Sequence, residues 1–141
     1  MIALPLLLQA TAPLPQAIGR QALPTRGCAA YLWSRGPTPA LVARVSAEPA
    51  SLRMALGPKA QDFPRTAQTG GEAGFGFAAS TEYGADGVTA RVDLVLAPRA
   101  DLSGGAVVTD ATLTVERPGA DTAVLPVGGL VGCAPAGPQA K

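Results

Sequence analysis

The chain contains no histidine and no asparagine. Without histidine there is no Ser-His-Asp or Cys-His pair to activate a nucleophile, no imidazole base and no imidazole metal ligand. Without asparagine there is no Asn-X-Ser/Thr glycosylation acceptor. The two cysteines are too few for a four-thiolate zinc site. These absences predict a protein with no metal, no cofactor and no enzymatic activity.

Charge and aromatic residues are also scarce. Charged residues make up 15% of the chain, its formal net charge is +1, and its arginines occur singly among acids. Nucleic-acid binding needs clustered cations, so no nucleic-acid partner is expected. Aromatics make up only 4%, which predicts a core of small side chains. The 17 glycines and 14 prolines favour turns over long helices, and 141 residues suit one domain.

Residues 1–26 have the pattern of a signal-like leader followed by a flexible Pro/Ala-rich arm. The apolar run Ile2–Leu8 is shorter than the roughly 20 residues that span a bilayer, so no transmembrane span is expected. Ala10-Thr11-Ala12 follows as a signal-cleavage pattern. Against a leader, no basic residue precedes the run, and Pro13 follows the cleavage pattern. Export to the periplasm or the medium is the expectation, and a disordered apolar arm is the alternative.

The two cysteines, Cys28 and Cys133, lie at the ends of the segment 27–134. Their placement predicts one disulfide that closes this single β domain, and disulfides are typical of exported proteins. The alternative is a pair of reduced thiols in a cytosolic protein. Residues 135–141 are predicted to be a disordered tail.

Within residues 27–134 the apolar residues recur with period two, which indicates strands with one buried face. The clearest pattern predicts an antiparallel hairpin of residues 74–83 and 88–97 around a turn at Gly84–Gly87. The register with the best apolar match places Tyr83 opposite Val88 and Phe77 opposite Leu94.

Two further hairpins follow from the same alternation. Residues 41–48 and 52–56 pair around a turn at Pro49-Ala50, with Val45 opposite Met54. Residues 111–116 and 123–127 pair around 118–121, and Pro126 favours a sheet edge or a bulge. With a first strand after Cys28 and a last one before Cys133, the fold class is all-β. We expect a small antiparallel β-sandwich or barrel of about seven or eight strands.

Four residues form the candidate binding surface: Tyr31, Trp33, Phe63 and Arg65. Tyr31 and Trp33 share one face of the first strand and could stack a sugar or a peptide, although the sole tryptophan is more often a core residue, and that is the favoured interpretation of Trp33. Phe63 and Arg65 lie in residues 58–69, which have no clean period and are predicted to form a long loop.

The remaining motifs favour no chemistry. The glycine-rich residues 70–77 lack the third glycine of a dinucleotide fingerprint and the Lys-Ser/Thr ending of a phosphate loop, so they are predicted to form a mobile loop. Glu82 and Asp93 are predicted on the wet face of the hairpin, where they could serve a glycosidase only if they converged. Lys59 is the only lysine that could assist a serine nucleophile within the folded region.

The sequence therefore predicts a non-enzymatic exported small β domain that binds a protein or envelope component. Two alternatives stay open: a hydrolase that uses carboxylates or a Ser/Lys pair, and a structural subunit of a surface assembly.

Overall fold

A computed structural model describes residues 15–99 and 105–134. The leader run, the cleavage pattern and the predicted tail 135–141 lie outside the described residues. Eight antiparallel strands follow one another in chain order: β1 Cys28–Ser34, β2 Leu41–Ala47, β3 Ala50–Met54, β4 Gln61–Gly74, β5 Phe77–Ala85, β6 Val88–Pro98, β7 Gly105–Glu116 and β8 Ala123–Cys133. Each pairs with the next and β8 pairs with β1, so the sheet closes into a barrel. The all-β prediction is confirmed, and of its two forms the barrel is correct.

The seam between β1 and β8 closes the barrel, and the two cysteines lie at one end of it. Cys28 and Cys133 are directly opposed across the strands and form a disulfide over a sequence separation of 105 residues. The pairing continues to Ser34 opposite Val127. The predicted disulfide is confirmed, and it links the first and last strands of the fold.

Close backbone approach at this seam depends on Gly129 in β8. A Cβ atom at that position would collide with the carbonyl oxygen of Tyr31 and lie 3.0 Å from the Trp33 ring. Because a backbone atom cannot move aside as a flexible side chain can, only glycine fits there.

The barrel interior is filled with side chains. Inward-pointing residues of the strands form it, and the largest that are fully buried are Phe63, Leu32, Leu52, Met54, Leu113, Val45, Val92 and Val127. The phenol of Tyr83 is buried with them, and its desolvation raises its pKa to about 12. The interior is thus a packed core, so a ligand is expected to bind on the outside of the barrel.

The β5–β6 hairpin is antiparallel, as predicted, but its predicted register is wrong by two residues. Ala85, not Tyr83, is opposite Val88, because the chain turns at Asp86 and Gly87, both with positive φ angles (54° and 80°). The ladder ends at Ser80 opposite Asp93, so Phe77 has no partner on β6. A shift of two residues keeps every side chain on its face, so alternation alone does not distinguish the two registers.

The β2–β3 hairpin shows the same error for the same reason. Val45 is opposite Leu52, not Met54, and the turn falls at Glu48-Pro49, whose peptide bond is cis. The β7–β8 hairpin forms as predicted, with Leu113 opposite Leu125. Pro126 pairs with β7 only, since the β1 ladder ends at Val127, and it therefore occupies the local edge expected for a proline.

The loops predicted at 58–69 and 70–77 are wrong. Most of both segments forms β4, which extends to Gly74 and turns at Phe75-Gly76 into β5. Beyond Pro64, both faces of β4 are exposed until Ala73, so no apolar alternation marks it as a strand. Three register shifts against β5 further interrupt its period.

We expect loss of the disulfide to lower the free energy of unfolding by about 4–5 kcal/mol, the loop-entropy value for a closed loop of this length. Urea unfolding of the chain with and without dithiothreitol measures the change. The Cys28→Ser/Cys133→Ser double variant is the control, because dithiothreitol should not alter its midpoint. Equal midpoints for the oxidised and reduced native chain would contradict the expectation.

The seam yields a second stability prediction. Gly129→Ala should destabilise the barrel by about 1–3 kcal/mol, the usual cost of forcing atoms into a packed site. Gly57→Ala is the matched control, since a Cβ there meets no atom within 4 Å. The urea midpoints of both variants test this prediction. A Gly129→Ala midpoint equal to that of Gly57→Ala would refute the close approach of the β1 and β8 backbones.

Candidate binding surface

Tyr31 and Trp33 lie on the outer face of β1, because Ala30 and Leu32, which alternate with them, point into the core. Trp33 is half-buried and does not belong to the core, so the favoured interpretation of Trp33 as a core residue is wrong. The inward positions of β1 hold small or aliphatic side chains, and the tryptophan occupies an outward position. Tyr31 is buried, although it too points outward.

Tyr31 is buried because residues 15–27, here called the arm, run along the outside of the barrel. The arm is anchored by backbone hydrogen bonds, from Gln16 N to Ala55 O (2.7 Å) and from Ile18 N to Leu41 O (2.9 Å). The Tyr31 hydroxyl donates to the carbonyl of Ala22 at 2.7 Å. The hydroxyl of Tyr31 therefore helps to hold the arm against β1.

Arg53 links the arm to β3 and β4 through side-chain hydrogen bonds. Its guanidinium donates to Gln21 Oε1 at 2.8 Å and to both carboxylate oxygens of Asp62, at 2.7 and 3.1 Å. The hydrogen bond to Asp62 raises the pKa of Arg53, and the same bond lowers the pKa of Asp62. Arg53 thereby joins the arm to β3 and β4.

Two open hollows flank Trp33. One, of about 420 Å³, lies between the arm and β1 and includes Arg20, Leu23 and Leu41 in its lining. The other, of about 410 Å³, lies on the far side of Trp33 and includes Arg35 and Val107. Trp33 is the wall shared by both, so the two hollows form one continuous surface around its ring.

The surface is widened by side chains next to these hollows. Leu23 is 60% exposed, and Leu130, opposite Tyr31 on β8, is 46% exposed. We call the residues Arg20, Leu23, Trp33, Arg35, Leu41, Val107 and Leu130 the Trp33 surface. Among the described residues, Arg20 and Arg35 are the only charged side chains that line the two hollows. The Trp33 surface is therefore apolar with a positive charge on either side.

Glycines of β8 form part of the floor under the Trp33 surface. The Arg35 guanidinium lies over Gly128, and a methyl carbon of Leu23 lies 3.0 Å from where a Cβ of Gly132 would be. Side chains at these positions would push Arg35 and Leu23 outward. The absence of β-carbons at Gly128 and Gly132 therefore gives the surface its depth.

The four predicted binding residues do not form one surface. Phe63 is fully buried in the core opposite Leu52, because β4 turns it inward, so it is not available to a partner. Arg65 is exposed on β4 and lines a separate hollow of about 350 Å³ beside the β4–β5 hairpin, with Gln68 and Glu72. The structure brings only Tyr31 and Trp33 together.

The acids that could have supported hydrolysis lie on the barrel exterior. Glu82 is opposite Arg91, and Arg91 donates to Asp93 Oδ2 at 3.1 Å. Lys59 is exposed between β3 and β4. Over the described ranges, no cluster of three or more His, Cys, Asp or Glu residues is placed to hold a metal ion, and no helix is long and apolar enough to cross a membrane.

The chain matches no protein-family model, no curated protein and no solved structure to a significant degree. Its function must therefore be inferred from its own geometry. Sequence reasoning predicted a flexible arm within residues 1–26 but not its contacts with the barrel, and it missed Leu23 and Leu130 as parts of the site. Alternation in β8 could have placed Leu130 outward, but no local pattern marks where the arm lies.

We expect Tyr31→Phe to loosen the arm, since it removes a hydrogen bond of about 1 kcal/mol. The undocked population of the arm should rise about fivefold, which that free energy implies. The rate of limited trypsin cleavage after Arg20 measures this undocked population. Tyr83→Phe is the control, because it removes a hydroxyl group from the barrel interior and should leave this rate unchanged. Equal cleavage rates for the native chain and Tyr31→Phe would contradict the role of Tyr31.

Proposed function

We propose that this protein is a non-enzymatic exported domain, periplasmic or secreted, that binds a partner protein on the Trp33 surface. The observation that carries the proposal is the half-buried Trp33 between two hollows on the outside of a barrel whose interior is filled. Tryptophan and arginine dominate binding energy at protein interfaces, and here both flank the same hollows.

The apolar character of the surface supports binding of a protein. Contiguous exposed apolar side chains are unfavourable in water and commonly mark an interaction site. Leu23, Trp33 and Leu130 supply such side chains, whereas Val95 on β6 and Val124 at the far end of β8 are exposed outside this surface. The Trp33 surface therefore differs from the rest of the exterior by combining apolar area with concavity.

The charge of the surface indicates the chemistry of the partner. Arg20 and Arg35 line its two hollows, and no acid within residues 15–99 and 105–134 does. A segment with aliphatic or aromatic side chains and neighbouring carboxylates would fill the hollows and pair with both guanidinium groups. A basic segment would be repelled.

Export is supported by two features. The disulfide between Cys28 and Cys133 is compatible with an oxidising compartment. The first 26 residues have the apolar run and small-residue pattern described above. We propose the periplasm or the extracellular medium as the site of binding.

The binding proposal is tested with a short peptide of alternating aspartate and leucine. We expect it to change the fluorescence of Trp33, the only tryptophan of the chain, while the matched lysine–leucine peptide does not. Calorimetric titration of Trp33→Ala should show about thirtyfold weaker binding, because truncating a central tryptophan typically costs 2 kcal/mol or more.

The control for this test is Val124→Ser, which removes an apolar side chain that is 60% exposed on the outside of β8, away from Trp33. Its affinity for the aspartate–leucine peptide should match that of the native chain. Lack of binding by both peptides, or equal affinities for Trp33→Ala and the native chain, would refute the Trp33 surface as the binding site.

Export is tested by producing the full chain in a Gram-negative host. We expect the folded domain in the periplasmic fraction, with an intact mass showing that the apolar run was removed and the disulfide formed. A chain that begins at residue 13 is the control and should stay in the cytoplasm. Retention of the full chain in the cytoplasm would contradict export.

A further inference from the structure

Strand β4 has an unpaired edge in an otherwise closed barrel. Its ladder with β3 ends at Pro64 opposite Ser51, but β4 continues to Gly74 and pairs there with β5 alone. Among the described residues no strand pairs with its other side. All residues of 65–72 are exposed. We call residues 65–72 the free β4 edge.

The free β4 edge has no partner strand because β3 is too short to pair with the whole length of β4. The β2–β3 turn at Glu48-Pro49 places the start of β3 at Ala50, next to Ser51, the last residue that pairs with β4. β4 therefore extends past the end of β3 and carries backbone N–H and C=O groups that face solvent. Such groups form a template onto which another strand can pair.

The charges on the free β4 edge are arranged so that the edge complements itself. Arg65 is at one end and Glu72 at the other, with only neutral residues between them. An antiparallel copy of the same edge would bring Arg65 of each chain toward Glu72 of the other. A parallel copy would place like charges together, which is unfavourable.

We propose that a second copy of this chain pairs with the free β4 edge in antiparallel orientation, giving a two-fold symmetric dimer. Symmetric pairing satisfies both free edges at once and leaves no template for further chains. The dimer is weak, because the register shifts in β4 limit regular pairing to a short stretch and the contact is small for a stable interface. It is independent of the Trp33 surface, which is formed by the arm, β1, β8 and the adjacent ends of β2 and β7.

The test is sedimentation velocity of the full chain from micromolar to millimolar concentration. The native chain should shift from monomer to dimer over this range. Arg65→Glu and Glu72→Arg should each weaken dimerisation about tenfold, since each turns two attractive pairs into repulsive ones. Both side chains are exposed, so both variants should unfold at the native urea midpoint.

Charge reversal also distinguishes the orientation. The double variant Arg65→Glu/Glu72→Arg should dimerise like the native chain, because antiparallel pairing restores both attractive contacts. An equimolar mixture of the two single variants should form a mixed dimer more strongly than either variant alone. High salt should reduce these differences.

Three outcomes would overturn the proposal. The first is a native chain that stays monomeric at all concentrations. The second is a dimer that neither single reversal weakens. The third is a double variant that dimerises no better than the single variants. A dimer lost in Trp33→Ala but retained in Arg65→Glu would place the contact on the Trp33 surface and equally refute this one.

Discussion

Pairing between β1 and β8 is the constraint on which the structure depends. It joins the first and last strands of the domain, turns an open sheet into a barrel, and so creates the enclosed space that the core fills. The disulfide stands at one end of this seam and Gly129 allows the strands to approach along it. Most of the buried side chains are small. The disulfide therefore supplies a substantial part of the stabilisation that offsets the conformational entropy lost when the chain folds.

Because side chains fill the barrel interior, a ligand is expected to bind on the exterior, and the exterior is not uniform in shape. Closure brings β8, with Gly128 and Gly132 flanking Leu130, alongside the outward aromatic side chains of β1. The arm then covers Tyr31 and leaves Trp33 half-buried. The hollows around Trp33 thus exist because three separate parts of the chain meet there, two of them strands joined by the seam.

Part of this site could be read from the sequence. Tyr31 and Trp33 are two residues apart in a strand, so their common face follows from the pleat alone. Phe63 and Arg65 obey the same rule, but β4 buries one and exposes the other through its position in the barrel. The arm is held by isolated hydrogen bonds, donated by the backbone N–H groups of Gln16 and Ile18 and accepted by the carbonyl of Ala22, which leave no periodic signal. Its place on the barrel therefore could not be predicted.

The sequence by itself determined the class of the fold, because a period of two and frequent turn residues are local properties of the chain. It also limited an intramolecular disulfide to a single pairing, since only two cysteines are present. Tertiary structure decided the rest. The registers of β2–β3 and β5–β6 depend on turn geometry, because a shift by two residues leaves the buried face unchanged. Closure into a barrel, the free edge of β4 and the exposure of Trp33 depend on which strands meet, and contacts between residues far apart in the chain are not encoded in any local pattern.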